Sequence, residues 1–466
     1  MARLFIVDPQ LPGDVTVGTE GEDTRVYLGQ LAETGPARKV YFGGSKEFVA
    51  LIVGKRGSGK SYTLGSLVEG FATKSDDCSI AFHRRRRAVL LLDPMGNFWT
   101  TAHLVGPSAL EKVREQWASL DGWNCSPEAI AVSIWLPAGC RTENDPPNVN
   151  EFRVRVADLD AADIADLIGV NLIRDAQGVA LAEAYAAVTQ EGWTGDTGHR
   201  APRQDYKFGN LVEYLEFIRA QQRGDHQESS LRALVRSLKG LERQPVFSGQ
   251  GTALTELLSP GQLSVLMLPL RVGPDLRRVI TRLLIRRILR EREEASKIRL
   301  RLGIEELEAN ERARLENELA NRVPRSVLAL DEAQELLGEE GGEARQALED
   351  FCLLGRNYGL SLIMATQRPT ATAISSKVRS QVDLWIIHRL LTQEDIDIAS
   401  RNLLATYPHE VMEGTRELDF SQLVRALDRG QALLSSSHAF VGSEKVGRIV
   451  ICRIRPRITV HGGEVD

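Results

Sequence analysis

The sequence predicts an α/β protein: a core of buried strands and helices, with a small β-region before it and a helical domain inserted within it. Three observations predict this class. Several short runs are continuously apolar and rich in β-branched residues, as strands buried on both faces are. Segments with apolar residues at i, i+3, i+4 and i+7 alternate with them. The first buried run leads straight into a glycine-rich turn and then a helix.

Composition sets the outer limits. The chain has 466 residues, 42% hydrophobic and 26% charged, enough for two or three domains of a globular protein. Its net charge of −5 argues against a globally basic nucleic-acid coat and leaves room for a local basic channel. Cys78, Cys125, Cys140, Cys352 and Cys452 are scattered and odd in number, which suits a reducing cytoplasm and gives neither a disulfide framework nor a zinc site. No stretch reads as a signal peptide or as a membrane span, so no membrane partner is expected.

Residues 1–48 read as the small β-region. Val15-Thr16-Val17-Gly18, Arg25-Val26-Tyr27-Leu28-Gly29 and Lys39-Val40-Tyr41-Phe42 are strand-like runs between Gly, Pro and Asp turns. The core begins at residue 49, and its first part covers 49–144. Val49-Ala50-Leu51-Ile52-Val53 is a buried strand. Gly54-Lys55-Arg56-Gly57-Ser58-Gly59-Lys60-Ser61 follows as a complete G-x-x-x-x-G-K-S phosphate loop. Leu64, Leu67, Val68 and Phe71 then mark one face of a helix. Glycines let backbone N–H groups close on phosphate oxygens, and the helix N-terminus adds partial positive charge. The nucleotide-contacting set is therefore Gly54, Arg56, Gly57, Ser58, Gly59, Lys60, Ser61 and Tyr62. Lys60 reaches the β- and γ-phosphates, and Ser61 ligates Mg²⁺.

A second buried strand, Ala88-Val89-Leu90-Leu91-Leu92, ends in Asp93-Pro94-Met95-Gly96. Before it stand four arginines, Arg84 to Arg87, which read as a solvated turn or as a phosphate-backbone contact. Residues 145–255 change character: helical periodicity around 157–168, 180–188, 211–222 and 231–241 reads as the helical insertion. The second part of the core, 256–466, opens with the strand Leu263-Ser264-Val265-Leu266-Met267-Leu268. A long helix follows, with Val279, Ile280, Leu283 and Leu284 on one face and Arg277, Arg278, Arg282, Arg286, Arg287, Arg290 and Arg292 on the other. Residues 297–322 read as a charged helical excursion.

Val327-Leu328-Ala329-Leu330 ends in Asp331-Glu332-Ala333-Gln334. A strand ending in Asp-Glu suits a Walker B element. Its Asp holds the Mg²⁺ shell, and its Glu deprotonates the attacking water. The same pair could serve as a helix N-cap. A helix near 345–355 runs into Gly355-Arg356-Asn357-Tyr358-Gly359, where Arg356 could be a C-cap arginine. The strand at 360–365 ends in Thr366-Gln367-Arg368-Pro369, placing a carboxamide where it could sense a γ-phosphate. The strand at 382–388 is followed by Arg389.

Together, Gly54 to Ser61, Leu91-Leu92-Asp93-Pro94-Met95-Gly96, Asp331-Glu332-Ala333-Gln334, Gly355-Arg356-Asn357-Tyr358-Gly359 and Ala365-Thr366-Gln367-Arg368-Pro369 resemble the HerA-type ATPases, which belong with the FtsK-like DNA translocases. Leu427-Asp428-Arg429-Gly430-Gln431 and Pro456-Arg457-Ile458-Thr459-Val460-His461-Gly462-Gly463 resemble that family's closing strands. The resemblance implies a RecA-like P-loop NTPase core, ATP and Mg²⁺ as cofactors, a hexameric ring, and double-stranded DNA moved through its pore. It also implies a nuclease or effector partner, in DNA repair or anti-phage defence. By motif, Lys60, Glu332, Gln367 and Arg356 are the catalytic set, with Arg356 as a finger into a neighbour's site. Ser61 and Asp331 are the metal residues. Lys377 and Arg379, after Gln367, are the candidate DNA contacts. Two departures stand out: Gln334 occupies a position where the family often has His, and the N-terminal β-region is short. An ATP-gated scaffold for a defence effector and a conjugation-type pumping ATPase are the alternative readings.

Overall fold

The computed structural model describes residues 2–3, 13–32, 38–196, 198–221, 226–337, 342–370, 374–407, 411–413, 415–441, 444–445 and 449–463. The chain folds into two compact units. One comprises residues 1–134, 254–269 and 284–466, and the other 135–253 and 270–283.

The first unit is built on six parallel strands. Their spatial order is Gln262–Met267, Ala88–Asp93, Ser326–Leu330, Leu360–Thr366, Val49–Val53 and Leu384–Ile387. Five successive residues of Ser326–Leu330 and of Val49–Val53 are all buried, the signature of strands covered on both faces. The register decides what emerges at the carboxyl edge. Leu330 lies opposite Leu92, so Asp331 comes out level with Asp93. Thr366 lies opposite Val53, so Gln367 comes out level with Gly54. Segments distant in sequence thus end side by side.

The sheet continues antiparallel beyond Leu384–Ile387, through Gln431–Ser436, Ile449–Ile454, Thr24–Leu31 and Lys39–Gly43. Val15–Gly18 pairs with Lys39–Gly43 on one side and with Ala439–Val441 on the other. The N-terminal strands therefore share hydrogen bonds with the last strands of the chain, within the same unit as the core. Val26, Tyr27, Leu28 and Phe42 are wholly buried there. Local spacing shows these strands as a small β-region but not their partners, which lie near the other end of the chain.

The segment after Met267 contains one helix of 31 residues, Pro274–Ile304, followed by Ala309–Ala320. Its arginines do not form one solvated face. Arg277, Arg282 and Arg292 are buried. Arg292 donates to the carbonyls of Tyr358 (2.7 Å) and Val323 (2.8 Å), as a brace inside the first unit.

The second unit carries the helices Ala161–Ile168, Ala176–Ala186, Phe208–Ala220 and Glu228–Glu242. It also holds two short strand pairs, Val154–Arg155 with Phe247–Ser248 and Trp193–Gly195 with Gly198–Arg200. Leu231, Leu234, Val235, Leu238 and Leu241 form the buried stripe that their spacing predicts. Asp160 and Asp163 make a reciprocal capping box. Asp163 also accepts from Arg282 Nε at 2.6 Å, so a cap residue is a buried ion-pair partner as well.

Candidate functional site

The phosphate loop leaves the sheet at Gly54 and turns back as the helix Lys60–Phe71. Gly59, at the N-cap, has φ 112°, a region that only glycine enters without strain. A Cβ on Gly54 would lie 2.5 Å from Ser58 Oγ and 2.7 Å from His388 Cβ, so the turn closes too tightly for any side chain there. His388 packs beneath the loop. It contacts Thr63 Oγ1 through Nε2 (2.9 Å) and the Gln431 carbonyl through Nδ1 (2.8 Å), and burial lowers its pKa to about 4.

Lys60 is buried. Its Nζ donates to the Lys55 carbonyl (3.2 Å) and lies 3.9 Å from Glu332 Oε1. Burial lowers its pKa, and Glu332 and Asp331 oppose that shift. Ser61 Oγ is 3.1 and 3.3 Å from the two oxygens of Asp331. Burial, reinforced by Asp93 and Glu332, pushes the Asp331 carboxyl up to about 7. Asp93 is wholly buried and pushed up to about 6, although the N–H groups of Phe98 (2.7 Å), Gly96 (2.8 Å) and Met95 (3.1 Å) donate to it. One corner thus crowds three carboxylates against one lysine. Crowding of like charge with burial is the usual electrostatic signature of a working site.

Glu332 is held on both oxygens. Gln367 Nε2 donates to Oε1 at 2.8 Å, and Gln334 Nε2 donates to Oε2 at 2.6 Å. Its φ is 42°, in the left-handed region that non-glycine residues rarely occupy. Backbone of this kind persists where surrounding contacts over-determine it.

The donor set suits Mg²⁺. A hydroxyl and a carboxylate, both hard oxygen donors, stand side by side at the start of a helix, and the neighbouring carboxylates repel one another until a cation is near. Among the described residues no group of three or more His, Cys, Asp or Glu could hold a metal unaided. An ion here would therefore complete its shell with phosphate oxygens and water.

These groups line one cavity of about 1470 Å³. Its walls include Arg56, Lys60, Ser61, Tyr62, Asp331, Glu332 and Gln367, together with Arg429, His461 and Gly462 from the C-terminal part of the chain. Tyr62 packs edge-to-face on His461 with ring centroids 5.2 Å apart, and its hydroxyl accepts from Arg457 N–H (2.8 Å).

The other predicted residues fall elsewhere. Arg356 lies at the amino edge of the sheet, just before the strand Leu360–Thr366. It donates to Asp383 Oδ2 (2.6 Å) and the Gln381 carbonyl (3.1 Å). It therefore has a partner in its own chain, away from its own phosphate loop. Lys377 is exposed and pairs with Glu349 at 2.9 Å. Arg379 donates to the carbonyls of Pro369 (3.0 Å) and Ile374 (2.6 Å) and braces its own loop. The arginine run divides in the same way. Arg84 is exposed beside Asp23, and Arg86 pairs with Asp76. Arg87 is buried, reaching Ser361, the carbonyls of Gly44 and Lys46, and Glu47, so it is neither solvated nor free for phosphate. Asp93, Gln334 and Thr366 escape a reading by single motifs. They fall inside motifs already quoted but without a role, and each stands at or just past the end of a buried strand.

Fold and site together define a phosphate-loop ATPase: a parallel sheet whose carboxyl edge carries the loop, the strand-end acids and a carboxamide. The family model described as "Helicase HerA, central domain" matches residues 27–333, and the chain belongs to that family. No curated protein matches the chain. Among solved structures it is similar to VirB4 of Thermoanaerobacter pseudethanolicus, at 15% identity and TM-score 0.48, covering 95% of this chain and 98% of that one. It is also similar to the genome packaging NTPase B204 from Sulfolobus turreted icosahedral virus 2, solved with AMPPCP, at 11% identity and TM-score 0.28, covering 87% and 97%. A third is the cytoplasmic domain of the Thermomonospora curvata Type VII secretion ATPase EccC, at 13% identity and TM-score 0.34, covering 99% of this chain and 31% of that one. Among the described residues no helix is long and apolar enough to cross a membrane.

Proposed function

We propose that the chain is one subunit of a ring motor that spends ATP to move double-stranded DNA through its pore, with a separate nuclease or effector protein as partner. The observation that supports this reading best is Glu332. It is held by two carboxamides beside Lys60, at the sheet edge where the phosphate loop begins. HerA-family membership supplies the DNA part.

The residues divide the work as follows. Lys60 and the loop N–H groups bind the triphosphate. Ser61, with Asp331 acting through water, would hold Mg²⁺, which when bound draws charge from the phosphates. Glu332 accepts the proton of the attacking water, a role worth about 10²–10⁴-fold in rate. Gln367 sits against Glu332 Oε1 and can register whether a γ-phosphate is present. Arg356 acts across a subunit boundary, and a heterologous contact of that kind closes into a ring. Lys377 is the better DNA candidate of its pair, because its ammonium is exposed whereas Arg379 is spent on carbonyls.

The deciding experiment is ATP turnover with and without duplex DNA. A motor is stimulated by duplexes of unrelated sequence, and that stimulation falls steeply with salt, as phosphate contacts require. Lys377→Glu weakens it for all sequences alike. Turnover indifferent to DNA would leave the ATP-gated scaffold as the better reading. Mass photometry with an ATP analogue and Mg²⁺ is expected to give a closed ring of six. A fully active monomer would end the ring proposal.

A further inference from the structure

We propose that Gln334 is a positioning residue for hydrolysis, with Thr366 as its anchor. Together they hold Glu332 Oε2 so that Oε1 faces Lys60 and the phosphate end of the cavity. This rests on the reading of Glu332 as the base.

The geometry is a chain of two hydrogen bonds from one strand end to the next, Thr366 to Gln334 and Gln334 to Glu332. Thr366 closes the strand Leu360–Thr366, and its Oγ1 lies 2.8 Å from Gln334 Oε1. The same oxygen accepts from the Arg368 N–H at 3.3 Å, so the hydroxyl proton is free to point outward. The Arg368 carbonyl, at 3.0 Å, is a second acceptor for it. The ionised Glu332 carboxylate can only accept, so the Gln334 carboxamide presents its NH₂ to it, with Nε2 2.6 Å from Oε2, and turns its own oxygen to Thr366. Glu332 Oε1 is left to Gln367 at 2.8 Å and to Lys60 at 3.9 Å.

Two further facts separate positioning from mere packing. Gln334 does not line the cavity that Glu332, Gln367 and Lys60 line, so it reaches the reacting groups only through Glu332. And Glu332 holds φ 42°, a backbone the residue does not adopt unaided. With Gln334 donating to its rear oxygen and Gln367 to its front one, the Glu332 carboxylate is held in one orientation. The hydroxyl belongs to Thr366 and the carboxamide on the front oxygen to Gln367. Both oxygens are thus set from the end of one strand, and a shift of that end would re-aim the base.

The test uses the full chain. Gln334→Leu removes the donor while keeping bulk. Turnover is expected to fall about 10–100-fold, the loss of one hydrogen bond to a charged group. KM for ATP, the affinity for a fluorescent ATP analogue and the melting temperature should stay near wild type. Thr366→Val should lose about 2- to 10-fold, and Thr366→Ser, which keeps the hydroxyl, should recover it. In nucleotide-free protein, hydrogen exchange across residues 330–336 should quicken in Gln334→Leu and stay at the wild-type rate in Thr366→Ser. Wild-type turnover and exchange in Gln334→Leu would overturn the proposal, as would equal losses in Thr366→Val and Thr366→Ser. If Gln334→Leu fails to fold, the Thr366 pair decides alone. Glu332→Gln keeps the two readings apart: full turnover in that variant rejects Glu332 as the base, whereas slow Glu332→Gln with unaffected Gln334→Leu rejects only the positioning role.

Discussion

Two buried charge clusters in the first unit make opposite use of the same chemistry. At the carboxyl edge of the sheet, Asp93, Asp331 and Glu332 crowd together with Lys60 as the nearby cation, and the carboxyls of Asp331 and Asp93 are pushed up to about 7 and about 6. On the other side of the phosphate-loop helix, Glu69 is wholly buried between Arg455 (3.2 Å) and Arg457 (2.9 Å). It also accepts from the N–H groups of Ile458 and Thr459 and from the Thr459 hydroxyl. Despite complete burial, its two arginines and those hydrogen bonds draw its pKa down. In one cluster the carboxylates outnumber the cation beside them, and in the other the single carboxylate is fully matched and hydrogen-bonded. The first is arranged to receive a ligand. The second ties the C-terminal segment to the helix behind the loop.

Four substitutions test whether the two clusters differ in this way. Arg356 has a partner, Asp383, as a structural charge does, yet it is proposed to act on a neighbour. If it does, Arg356→Ala rings bind ATP and assemble but turn over about 10³–10⁵-fold more slowly. Mixing them with Lys60→Ala subunits, themselves dead, should restore some activity at interfaces that keep both residues. Normal hydrolysis by Arg356→Ala rings would place it with the structural charges and make Arg389 the next arginine to test.

Next comes Glu332→Gln, expected to bind nucleotide while losing about 10²–10⁴-fold in turnover with little change in melting. Wild-type turnover would remove it as the base. In the other cluster, Glu69→Ala leaves two buried guanidinium groups without their carboxylate and should cost about 3–5 kcal/mol of stability. Chemical denaturation measures it. A loss of activity at unchanged stability would mean that the cluster is not structural.

The smallest effect is on pH dependence. In protein freed of metal and nucleotide, Asp331 binds its proton more tightly folded than unfolded, with a folded pKa of about 7 against an ordinary carboxyl value of 3.8. Between those values the folded state holds more protons, so this group's contribution to stability falls as pH rises and is least favourable above about 7. Asp331→Asn should flatten that slope and stabilise the free protein near pH 8 while abolishing hydrolysis. An unchanged pH profile of melting temperature would show that the crowding carries no stability cost.

Much of this was legible residue by residue. The loop from Gly54 to Ser61 and the strand-end pair Asp331 and Glu332 each carry their meaning in local spacing. So does the buried stripe of residues 231–241. The arginines were the least legible. Arg87 read as part of a solvated turn or a phosphate contact, and Arg282 and Arg292 as the face of a helix opposite its apolar one; only their distant carbonyl and carboxylate partners put them inside. Gln334 read as a departure from a family pattern. Its part in holding Glu332 depends on Thr366, 32 residues further along, lying within 2.8 Å.

By itself the sequence determined the class of fold and the chemistry of the phosphate loop, since strand burial, glycine turns and helix faces are set by periods of two to four residues. Tertiary structure alone decided which strand ends meet. Parallel pairing at a fixed register brings Asp93, Asp331 and Gln367 to the same edge as Gly54 from positions up to about 300 residues apart, and no local period encodes that alignment. It also decided which charges are crowded and which are matched, because the pKa of a buried carboxyl depends on the groups that surround it in space.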